Sequence, residues 1–154
     1  MECELMRHAF FYTFQISSFR LHYVSYLCAH AVGAHRLTLL NNLLTFTVFH
    51  NKLKLVKKIL AAGADIHHYQ DQALRWSVMR GQVKMVKFLC RQGADVNADG
   101  GEPLLAATTQ KQGLKLARIL TDYGAHVDSN HVWAAIRKPK LQRFLYHIRR
   151  TSIK

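Results

Sequence analysis

The chain has 154 residues, 49% of them hydrophobic and 20% charged, with two prolines and eight glycines. That is enough apolar material for one continuous core, and it excludes a disordered or linker-rich chain. Twenty-two Lys and Arg stand against nine Asp and Glu, a net charge of +13 and a pI near 10.1; such a surface attracts nucleic acid, an acidic protein or an anionic membrane, and composition does not choose among them.

Residues 8–32 come first and are strongly apolar, with Phe14, Leu21, Tyr23, Val24 and Leu27 placed as a helix pair needs them. Glu2 and Glu4 spoil the basic start of a signal peptide, and Tyr12, Thr13, Gln15, Ser17 and Ser18 break the run. The segment is too interrupted to span a bilayer. It is expected to be a divergent N-terminal cap pair.

From residue 36 to 128 the chain repeats itself. Gly63-Ala64-Asp65, Gly93-Ala94-Asp95 and Gly124-Ala125-His126 each follow an apolar helical pattern, 30 and 31 residues apart, and Gly33-Ala34-His35 lies one period upstream. Within one unit, Leu53, Leu55, Val56, Ile59 and Leu60 form a helical stripe. Gly63 then permits the left-handed conformation that ends a helix. A short polar loop follows, and a second helix is predicted to start near Asp71 as its N-cap and to carry Ala73, Leu74, Trp76 and Val78 as far as Gly81. Neither helix can bury its apolar face alone, so neighbouring pairs must stack. Residues 129–150 supply a C-terminal cap pair, with Trp133 to Ile136, then Leu141, Phe144, Leu145 and Ile148; Pro139 sits at a favoured first-turn position. The expectation is one all-α domain over residues 1–154, a solenoid of about five stacked helix-turn-helix pairs with short finger loops.

These residues resemble the ankyrin-repeat family. Glu102-Pro103-Leu104-Leu105-Ala106-Ala107 is similar to the start of its inner helix, Gly81 to Leu89 to its outer helix, and Asp95-Val96-Asn97 to its finger. Ala73-Leu74-Arg75-Trp76, followed by Val83 to Leu89, is similar in style to ankyrin proteins of giant DNA viruses. The resemblance implies an all-α repeat solenoid that binds protein partners through its fingers and concave inner-helix face. The candidate contacts are then His67, His68, Tyr69, Arg75, Asn97 and Asp99. Arg75 and Leu105 stand where the family carries the His of its Thr-Pro-Leu-His turn, so the hydrogen bonds of that His are expected to be missing.

Aligning the repeats puts the cations in register. Lys54, Lys84, Lys115 and Lys140 share one outer-helix position, and Lys57, Lys87, Arg118 and Arg143 share another three residues on. Positions i and i+3 lie on one helical face, so two rows of cations are predicted along the back of the stack. The acids fall mostly in fingers and at inner-helix starts. These eight cations are candidate polyanion contacts, against the plainer reading that they are solvated surface.

Cys3, Cys28 and Cys90 are odd in number and lack metal-ligand spacing; they read as free thiols in a reducing compartment. Ten histidines offer no set completed by Cys or carboxylate for a metal. No phosphate loop, nucleotide fingerprint or nucleophile elbow occurs. The sequence therefore points to an intracellular, non-enzymatic adaptor without cofactor or metal, binding a protein partner. The alternative is a basic structural component of a nucleic-acid-containing assembly, such as a ribonucleoprotein or viral particle.

Overall fold

The computed structural model describes residues 35–126 and 139–151. Seven helices occupy them: α1 His35–Phe49, α2 Leu53–Ala61, α3 His68–Met79, α4 Val83–Arg91, α5 Ala98–Thr109, α6 Gly113–Asp122 and α7 Pro139–Thr151. No strand occurs among the described residues. Helices α1, α3 and α5 are inner helices, each packed on the next and on its own outer helix, α2, α4 or α6. Helix α7 packs against α6 as a further outer helix. The result is an all-α repeat solenoid. The expected first pair (8–32) and the inner helix of the expected last pair, with Trp133, lie outside the described residues. Helix α7 is described from Pro139 onward.

The inner helices share one burial pattern. Leu43, Leu44, Thr47 and Val48 of α1, Ala73, Leu74, Ser77 and Val78 of α3, and Pro103, Leu104, Ala107 and Thr108 of α5 are buried at equivalent positions. The intervening residues stay partly exposed on an open face. At the third of these positions in α1 and α3, and the fourth in α5, a hydroxyl is buried. Each returns its proton to its own helix: Thr47 to the Leu43 carbonyl at 2.8 Å, Ser77 to Leu74 and Thr108 to Leu105, both at 2.7 Å. The helix itself thus satisfies polar groups that would otherwise be costly to bury.

The outer helices contribute Leu55, Val56 and Ile59, then Met85, Val86 and Leu89, then Leu116, Ala117 and Leu120, and finally Leu141 and Leu145. Each fully buried Leu or Ile contributes about 2 kcal/mol from removal of apolar surface. No half-exposed ion pair matches that, so stacked aliphatic layers hold the repeats together.

Helix ends follow from the glycines. Gly63 (φ 97°) follows α2; its N–H bonds the Leu60 carbonyl at 3.0 Å, and the Ala64 N–H bonds Ile59 at 3.2 Å. That is a Schellman closure, which needs the left-handed conformation glycine adopts without strain. The same pair of bonds recurs after α4 and α6.

The finger-to-helix junction differs from the sequence expectation. Tyr69, Gln70 and Asp71 have φ of 49°, 55° and 55°, and Asp99, Gly100 and Gly101 of 51°, 67° and 86°. Each trio makes one left-handed turn, closed by Asp71 N–H to the His67 carbonyl at 3.2 Å and by Gly101 N–H to Asn97 at 3.0 Å. Asp71 stands where right-handed helix begins, but its carboxylate does not cap that helix. It bonds His67 and the next finger instead.

Candidate interaction surfaces

The finger edge is built on local carboxylate turns. Asp65 Oδ1 accepts the His67 N–H at 2.9 Å, and Asp95 Oδ1 accepts the Asn97 N–H at 2.8 Å. Each finger is then tied to the preceding repeat. Asn41 Oδ1 accepts the Asp65 N–H and Asp71 Oδ1 accepts the Asp95 N–H, both at 2.8 Å. Gly101 occupies the equivalent place in the third repeat and has no side chain to offer. There Asn97 takes over: its Oδ1 accepts the His126 N–H at 2.8 Å, and its Nδ2 donates to the Gly124 carbonyl at 3.1 Å. The family's turn histidine is absent, but an inter-repeat ladder of Asn and Asp side chains stands in its place.

The six finger and inner-face candidates are thus differently employed. His67 is half-exposed and sets Nδ1 against both carboxylate oxygens of Asp71, at 3.1 and 3.2 Å. That hydrogen bond, with the nearby charges of Asp71, Asp65 and Asp95, raises its pKa above the usual 6.5. His68 Nδ1 accepts from Asn41 Nδ2 at 3.2 Å. Tyr69 is 67% exposed. Arg75 Nη1 lies 2.9 Å from Asp99 Oδ2, and Arg75 Nε also contacts Glu102. Arg75 therefore bridges to the next repeat from the position of the missing histidine.

The open face of the inner helices carries an aromatic cluster. Phe49 and Trp76 meet edge to face with centroids 5.4 Å apart, and the Arg80 guanidinium lies 4.0 Å above the Phe49 ring. Half-buried Phe46 belongs to the same stripe, and Met79 is exposed beside it. Tyr69, Gln70, Gln72 and Arg75 line a groove at the finger end of this face. Phe46, Phe49 and Met79 were not singled out in the sequence, although their spacing around the buried positions marks them as the uncovered side of the inner helices.

The outer face has the opposite character. Lys54, Lys57, Lys84, Lys87, Lys115, Arg118, Lys140 and Arg143 are all exposed. Among the described residues none of the eight is within ion-pair distance of a carboxylate. Lys57 lies 5.5 Å over the Phe88 ring of the next outer helix, and Arg118 lies 5.3 Å over that of Phe144. Asp122, at the end of α6, is the one acid on these helices among the described residues. Like charges about 10 Å apart on packed helices repel by only about 0.4 kcal/mol in water, so the rows are tolerated without a partner.

Among the described residues, no group of three or more His, Cys, Asp and Glu could hold a metal, and no helix is long and apolar enough to cross a membrane. Cys90 is a buried free thiol, and burial pushes its pKa up to about 11; Cys3 and Cys28 lie outside the described residues. Comparison with curated proteins gives no match. The family model for ankyrin repeats (3 copies) matches residues 44–131, more than half of the chain. With the helix pairs, Schellman closures and finger turns above, this chain belongs to the ankyrin-repeat family.

Proposed function

We propose that this chain is a non-enzymatic adaptor that seats a protein partner against its finger edge and the open face of its inner helices. Ankyrin repeats are in general protein–protein interaction modules. The observation that carries the reading is the chemistry of that face: Phe46, Phe49, Trp76, Met79, Tyr69 and Arg75 lie half-buried or exposed there. Aromatic residues, Met and Arg are the types enriched where protein interfaces concentrate their energy. Tyr69 and His67 present finger chemistry to the same partner. Asn97, Asp99 and His68 act behind them, holding the fingers in place.

The test is affinity capture from the native cell with nuclease present, using the wild type, a Tyr69→Ala/Met79→Ala variant and a Lys84→Gln/Lys87→Gln variant. Both substituted pairs are exposed, so the fold is retained. Loss of exposed anchors of this kind costs at least about 1 kcal/mol, roughly a fivefold fall in capture of the same protein. Capture that survives the first variant and fails with the second sinks this reading.

A further inference from the structure

We infer that the outer-helix face is a second binding site, for the phosphate backbone of double-stranded nucleic acid. The inference goes beyond the adaptor reading and uses different residues.

The face is a linear array. Two exposed cations per outer helix recur on α2, α4, α6 and α7 in the same register. Exposed Lys52, Lys58, Arg91 and Lys111 widen the field. No carboxylate within ion-pair distance neutralises the eight among the described residues. At one end Lys111, Lys115 and Arg118 line a groove along α6, and Lys111 and Lys140 flank a second groove between α6 and α7 whose floor is Leu114, Pro139 and Leu141.

The ligand class follows from what the face lacks as well as what it carries. A protein partner would require apolar anchors at the centre of the contact, and lysine is depleted from such centres. Here lysines and arginines make up most of the exposed side chains of α2, α4 and α6, and on α7 Lys140 and Arg143 share the surface with Gln142, Tyr146 and His147. A membrane would require apolar residues to enter the acyl boundary. Tyr146 on α7 and Tyr123 just after α6 are the large exposed apolar residues of this region among those described. Single strands are held largely by bases stacked on aromatic platforms. Phe88 and Phe144 are half-buried with Lys57 and Arg118 over their rings, and among the described residues exposed Tyr123 and Tyr146 lie at the α6–α7 end alone, so stacking platforms do not recur along the face. What remains is a rigid row of point charges at helix-to-helix spacing. That suits a regular polyphosphate, whose backbone contacts need cations but no base recognition.

The experiment measures binding of the full chain to a labelled 24-base-pair DNA duplex of arbitrary sequence over a range of salt concentrations. The competitors are oligo-dT and polyaspartate. With eight phosphates neutralised, log affinity should fall against log salt with a slope near −7. The Lys84→Gln/Lys87→Gln/Lys115→Gln/Arg118→Gln variant should bind at least about tenfold more weakly, with a slope near −4. Its circular dichroism and melting point should match the wild type, since all four side chains are exposed. Tyr69→Ala should bind the duplex as the wild type does. No duplex binding, a slope unchanged in the folded quadruple variant, tighter binding of oligo-dT, or equal displacement by polyaspartate overturns the inference. None of these outcomes bears on the inner-face partner, which is assayed with nuclease present.

Discussion

Asp71 Oδ1 accepts the backbone N–H of Asp95 at 2.8 Å across twenty-four residues, and Asn41 does the same for Asp65 at the same separation. One short polar side chain at the base of each of these inner helices thereby holds the finger of the next repeat. Replacing Asp71 with Ala leaves a partly buried donor unsatisfied and should lower the unfolding free energy by about 1–2 kcal/mol. Asp71→Asn keeps the acceptor, as Asn41 does, and at pH 8, where the His67–Asp71 pair contributes least, should cost less than about 0.5 kcal/mol. Urea unfolding of the two variants separates them, and equal losses would show that the backbone bond is not what matters.

Gly113 opens α6 close beneath α5. A Cβ at this position would stand 2.4 Å from the Ala107 carbonyl oxygen. Alanine is the better helix former, by up to about 1 kcal/mol. That gain is smaller at a helix start, and a collision with a backbone oxygen costs about 1–3 kcal/mol. Gly113→Ala is therefore expected to destabilise the protein by about 1–2 kcal/mol, read from thermal or urea denaturation.

Gln70 sits at φ 55° in the middle of the left-handed turn where the next repeat has Gly100. A side chain with a Cβ pays about 1–2 kcal/mol for that conformation. Glycine returns about 0.5–1 kcal/mol of this as extra freedom of the unfolded chain. Gln70→Gly should raise stability by about 0.5–1 kcal/mol, seen as a melting point higher by about 1–4 °C.

His67 gives the finger a pH dependence. Its pKa is raised, first by its hydrogen bond to Asp71, so the folded state binds the proton more tightly than the unfolded one. The stabilisation is fully present below the ordinary pKa of 6.5 and is lost as pH rises through the folded value. His50 acts the other way, since burial, then Arg80 and Lys52, lower its pKa. His67→Gln leaves His50 in place. The variant should lose melting temperature relative to wild type at pH 5.5 and match it more closely at pH 8. A difference constant with pH would contradict the assignment.

The three helix pairs between His35 and Asp122, their glycine ends and the exposed outer-helix positions of the eight cations could be read from the chain alone. Those features depend on spacing within about ten residues, or on copying one position every repeat, and both leave a direct mark in a linear sequence. The equivalent positions 41 and 71, each with a short polar acceptor 30 residues apart, also carried a trace of the finger ladder.

What only the tertiary structure decided is how the polar residues of the fingers are spent. Asp71 reads locally as a helix cap, because a carboxylate before an apolar run ordinarily serves that end. In the stack it faces the next finger. Arg75 and Asp99, taken singly, read as free contacts, yet they pair across repeats at 2.9 Å. Asn97 likewise holds the finger beyond its own. These bonds join side chains to groups one repeat away, and their geometry exists only once aliphatic packing has set the distance between helix pairs. Local chemistry therefore determined the elements and their faces, and stacking determined which finger residues remain available to a partner.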